Sequence, residues 1–87
     1  MRFQGAVIKE QNVTFAIVIV KKSVVDSASE AKRTIAAFRP LFPGLPVVLM
    51  AQDHQGVPTY YGREDLSRFM AGVSLDRVPW KEYEATV

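Results

Sequence analysis

Two stretches of this 87-residue chain, Thr14-Phe15-Ala16-Ile17-Val18-Ile19-Val20 and Pro46-Val47-Val48-Leu49-Met50-Ala51, are apolar with almost no polar alternation. A β-strand sends successive side chains to opposite sides of its sheet, so a run that is apolar on both sides belongs inside a sheet covered front and back. The β-branched content of both runs favours strand over helix. The longest unbroken apolar run, Phe15 to Val20, falls far short of the roughly 20 residues a membrane-spanning helix requires. The chain is therefore expected to build around two buried strands.

The segments around these runs supply turns and helices. Phe3 to Glu10 mixes apolar and polar residues in a strand-like way, and Glu10-Gln11-Asn12 makes a polar break before Val13; together they predict a β-hairpin. After Lys21-Lys22-Ser23-Val24-Val25-Asp26, the sequence Ser27-Ala28-Ser29-Glu30 forms a capping box, with Ser27 accepting from the Glu30 backbone. A helix follows, its apolar stripe at Ala28, Ala31, Ile35 and Phe38, with Lys32 and Arg33 off the stripe. Arg39-Pro40 stops it, because a proline biases the residue before it toward extended geometry.

Strand, helix and strand in that order predict a parallel crossover between Val13–Val20 and Val47–Ala51. Gln52-Asp53-His54-Gln55-Gly56 reads as a hairpin loop, and Val57 to Tyr61 returns as a strand placed at an edge by Pro58. Gly62-Arg63-Glu64-Asp65 opens a second helix with acids where the helix dipole favours them, and Leu66, Phe69, Met70 and Val73 follow at helical spacing. Gly72 serves as its C-terminal cap. The tail from Ser74 to Val87 contains Val78-Pro79-Trp80, an extended segment whose indole needs a surface to cover. The expected fold is α+β, ββαββα: a four-stranded mixed sheet with two central parallel strands and two helices, in a single domain over residues 1–87. Two helices leave two arrangements, both on one sheet face or one on each.

Composition narrows the functions. The chain has no cysteine and one histidine, which excludes a disulfide scaffold, a thiol nucleophile and the usual zinc sites. No cofactor is expected. Eleven basic against nine acidic side chains give a net charge of +2, much less dense than the basic stripe of a dedicated nucleic-acid binder. The start, Met1-Arg2-Phe3-Gln4-Gly5, resembles neither a secretory nor a transit peptide, so a cytoplasmic location is expected. So small a chain buries only about 60 to 65% of its unfolded surface and gains from association.

In open sheets, ligands tend to bind beyond the carboxyl ends of the parallel strands. That end collects Lys21 and Lys22 after one strand and Gln52, Asp53 and His54 after the other, a candidate site for an anion. No Gly-x-Ser-x-Gly elbow or Gly-rich phosphate loop occurs, and the glycines are scattered as turn punctuation. Tyr60 and Tyr61 point to opposite sheet faces, and with Arg63, Arg68 and Trp80 they form a candidate partner surface able to stack on a ligand or base.

From Gly44 to Phe69, the order of Pro46, strand, glycine-tipped hairpin, Gly62 and amphipathic helix resembles the C-terminal half of the thioredoxin fold. That resemblance implies a cis Pro46 peptide; the family's Cys-x-x-Cys is absent, and its redox role with it. The segments Pro46 to Asp53, Pro58-Thr59-Tyr60-Tyr61-Gly62-Arg63 and Pro79-Trp80 also resemble a set of short bacterial proteins without an assigned activity. The sequence as a whole points to a non-catalytic domain that binds a protein partner or a second copy through a sheet surface its two helices leave open, with weak nucleic-acid or anionic-ligand binding as the alternative.

Overall fold

The computed structural model describes residues 1–10 and 12–85. Gln11 in the polar break, and Thr86 and Val87 at the end of the tail, lie outside the described residues. The hairpin pairs β1 (Arg2–Glu10) antiparallel with β2 (Val13–Ile19), from Gly5 opposite Val18 to Glu10 opposite Val13. A short helix α1 (Lys22–Val25) comes next, then α2 (Ala28–Phe38), a 3₁₀ turn over Arg39–Leu41, and β3 (Val47–Gln52). Strand β3 runs parallel to β2, with Ile17 beside Val48 and Ile19 beside Met50. Then β4 (Pro58–Tyr61) pairs antiparallel with β3 and leads to α3 (Glu64–Ala71). A second 3₁₀ turn over Leu75–Arg77 precedes β5 (Lys81–Glu84), which pairs antiparallel with β1.

The local chemistry explains these boundaries. Ser27 Oγ accepts from the Glu30 amide at 3.4 Å, fixing the start of α2. At the other end Pro40 does not break the chain into an extended segment: it sits in the first turn of the 3₁₀ element, where its missing donor goes unneeded. Gly56, with φ 84°, provides the left-handed residue of the β3–β4 hairpin, and Gly72 caps α3.

The sheet order is β4-β3-β2-β1-β5, five strands where the sequence predicts four. The additional strand lies in the tail, so β1 is interior and the edges are β4 and β5. The short α1 is also additional, in a segment read from the sequence as a plain connection. No peptide bond among the described residues is cis, so Pro46 is trans, contrary to the thioredoxin-like expectation.

Helices α1 and α2 cover one sheet face and α3 covers the other. On one face Ala16, Val18, Val47, Leu49 and Ala51 pack with Val25, Ala31, Phe38 and Phe42 from α1, α2 and the following turn. On the other, Ala6, Phe15, Ile17, Val48 and Met50 pack with Leu66 and Met70 of α3 and Val78 of the tail. Phe15 to Val18 and Val48, Leu49 and Ala51 are completely buried, each large side chain contributing about 1.5–3 kcal/mol by leaving water. The buried strands therefore sit in the middle layer of a helix–sheet–helix sandwich, and the open apolar sheet face expected from so few helices is not there. Among the described residues no helix is long and apolar enough to cross a membrane.

Candidate functional site

At the carboxyl ends of β2 and β3, three of the five predicted residues, Lys22, Gln52 and Asp53, are held in local hydrogen bonds. Lys22 Nζ is bound by Asp26 Oδ1 at 2.5 Å, while Lys21 is exposed just before the four-residue α1. Asp53 Oδ1 accepts from the amides of Gln55 at 2.8 Å and Val57 at 2.9 Å, which commits this carboxylate oxygen to shaping the hairpin. Gln52 Nε2 donates to the Gly56 carbonyl at 3.1 Å, and His54 is exposed in the loop. Among the described residues no group of three His, Cys, Asp or Glu side chains is placed to hold a metal ion.

Gln52 does line a cleft of about 330 Å³ floored by Ile19, Met50, Leu75 and Trp80. Trp80 is packed against the α3-side core, and its indole N–H donates to the Leu75 carbonyl at 3.0 Å. It covers the sheet, as its position after Pro79 leads one to expect, and belongs to the core more than to a stacking platform.

The predicted partner surface divides between the two faces. Tyr60 packs with the α3 side and Tyr61 with the α2 side, as strand alternation requires. The Tyr60 hydroxyl is enclosed without a hydrogen-bond partner among the described residues, as is Ser67 Oγ, and burial pushes the Tyr60 phenol up. Arg68 is paired with Glu64 at 2.5 Å, one helical turn apart.

Tyr61 and Arg63, however, join residues that the sequence reading leaves out. They line a cleft of about 380 Å³ with Lys32, Ile35 and Arg39, over a floor completed by Pro46 and Val47. Lys32, Ile35 and Arg39 stand at i, i+3 and i+7, so one side of α2 and its continuation presents all three. Arg63 comes from the opposite wall, carried by Gly62. A Cβ at Gly62 would lie 3.1 Å from Val48 Cα and 3.2 Å from the Val47 carbonyl oxygen. Only a glycine lets the chain cross the sheet this closely and deliver Arg63 to the rim without displacing β3.

The electrostatics of this cleft are one-sided: Lys32, Arg39 and Arg63 line it, and no carboxylate does. Asp65 lies beside Arg63, bound by two hydrogen bonds of 2.8 Å to Nε and Nη2, which fixes the plane of the guanidinium. This hydrogen bonding holds the Asp65 carboxyl down at about 2 and raises the Arg63 guanidinium. Lys32 and Arg39 form no ion pair among the described residues. The sequence places Lys32 off the apolar stripe of α2 and Arg39 at its stop; the approach of β3, β4 and Gly62 turns that side of the helix into a wall. No family model matches the chain, and neither a curated protein nor a solved structure does.

Proposed function

We propose that this protein is a non-catalytic binding domain that takes a small anionic ligand in the cleft between α2 and the β3–β4–α3 corner. The observation that carries this reading is the convergence of Lys32 and Arg39 from α2 and its continuation with Arg63 from the opposite wall, around a lining without a carboxylate among the described residues. Cations gathered around one concavity raise the local concentration of an anion more than the same charges spread over open surface. Asp53 and His54, candidates for an anion site from the sequence, do not line this cleft and do not enter the reading. Binding of a protein partner or a second copy drew its support from an uncovered sheet face, and the helix on each face withdraws that support.

The reading is tested by titrating the protein with inorganic phosphate while following backbone amide shifts. Shifts centred on Ile35, Val47 and Gly62, abolished in Arg39→Glu, are expected. A titration that leaves these amides unmoved up to high millimolar phosphate would overturn the proposal.

A further inference from the structure

We infer that the ligand of this cleft is a phosphate monoester borne on a single flat apolar group; the inference rests on the anion-binding reading just given and names its ligand class. The first argument is charge. Asp65 largely neutralises Arg63, which leaves Lys32 and Arg39 as two cationic side chains without a partner among the described residues. A phosphate monoester, with a charge of about −1.5 to −2 near neutrality, matches both, whereas a carboxylate matches only one.

The second argument is extent. The cationic lining ends at α3, where Glu64 and Asp65 occupy the first turn and Arg68 is already paired with Glu64. A polyanion needs a basic track that continues past one phosphate; this cleft meets acids at its α3 end and offers two cations unpaired among the described residues, enough for one compact charge.

The third argument is the floor. Ile35, Pro46 and the Tyr61 ring, each partly exposed, would remain wet beneath a bare phosphate. A planar apolar substituent covers them, and the cleft of about 380 Å³ has room for one ring with its phosphate. The guanidinium plane of Arg63, held by Asp65, is ready to meet phosphate oxygens without first being ordered.

The test is an amide-shift titration of the whole chain with phenyl phosphate, inorganic phosphate and a short single-stranded oligonucleotide, each at two salt concentrations. Phenyl phosphate is expected to bind at Ile35, Val47 and Gly62 at least tenfold more tightly than inorganic phosphate, with a small salt dependence. Lys32→Gln and Arg39→Gln, both at exposed positions, are expected to weaken both ligands severalfold. Tyr61→Leu, which preserves apolar packing, is expected to lower only the margin of phenyl phosphate over phosphate. Equal affinity for the two phosphates would overturn the inference and leave the anion-binding reading standing. Preferred binding of the oligonucleotide, with a salt slope of several units, would overturn it in favour of a polyanion. Absence of any anion-dependent shift would remove the anion-binding reading itself, and this inference with it.

Discussion

At Gly5 the first two strands approach so closely that a Cβ would stand 2.5 Å from the Ile17 carbonyl oxygen. The obstacle is backbone, in a strand buried on both sides, and cannot swing away. Gly5→Ala is expected to cost about 1–3 kcal/mol, the usual range for overpacking, read as a lower denaturant midpoint with an unchanged slope. The other residue-scale prediction concerns Asp65, whose carboxyl is lowered from an ordinary 3.8 to about 2, chiefly by its hydrogen bonds to Arg63. A depressed acid stabilises the fold above its unfolded value and loses that contribution as pH falls through the folded one. The Arg63–Asp65 pair should therefore persist at pH 3 and open near pH 2. The Asp65 carboxyl carbon should titrate near 2 by NMR, and return toward 3.8 in Arg63→Gln. The roles of Gly56 and Gly72 were legible in the sequence as turn punctuation. The close approach at Gly5 and Gly62 was not, because it depends on which backbone lies across from each.

At the scale of elements, the readable parts were those whose pattern reports their own surroundings. Two runs apolar on both sides specify buried strands, and Ser27 with Glu30 specifies the start of α2. Leu66, Phe69 and Met70 likewise specify the inner side of α3, and Val73 continues that packing just past its cap. Strand β5 carries no such pattern: Lys81-Glu82-Tyr83-Glu84 has one apolar side chain, and its ladder partner is β1, nearly the whole chain away. Tyr83 joins it to the core, stacked on Phe3 at 5.2 Å and edge-on to Phe42 at 5.4 Å, with Lys81 Nζ 5.1 Å from its ring centre. Half of the candidate cleft escaped the sequence for a related reason. Tyr61 and Arg63 stood out as an aromatic beside a cation, but Lys32 and Arg39 resemble any solvated helix side until the β3–β4 corner is set against them. Tyr83→Ala is expected to destabilise by about 2 kcal/mol, less than the 3–5 typical of a fully buried ring because Tyr83 is half-buried. The same change should speed amide exchange in β1 on its β5-facing side while leaving β2 and β3 protected, a local loss distinguishable from global unfolding.

For the whole molecule the question is what its small core leaves available for association. Both sheet faces carry helices, and among the described residues the exposed large apolar side chains are Met1 and Val7 at β1, Leu41 in the turn after α2 and Val57 before β4. The edges are guarded in different ways. Strand β4 is four residues long and begins with Pro58, which has no amide to donate. Strand β5 places Glu82 and Glu84 on the same side, tied to Arg2 at 3.6 and 2.9 Å. A two-fold antiparallel pairing of β5 with a second copy keeps faces aligned, so Glu82 would oppose Glu82 or Glu84 of the copy. Like charges placed directly opposite destabilise a sheet pair, and Arg2 is already shared between these two acids. The protein is accordingly expected to scatter light as a single chain up to high micromolar concentration, and to bind one phosphate monoester per chain. A mass that rises with concentration at low salt, and is restored to one chain by Lys81→Glu, would contradict this and assign the β5 edge to self-association. A mass that stays at one chain, together with one-to-one ligand binding, would fit a molecule whose sheet is closed by its own helices and whose recognition is concentrated in the cationic cleft.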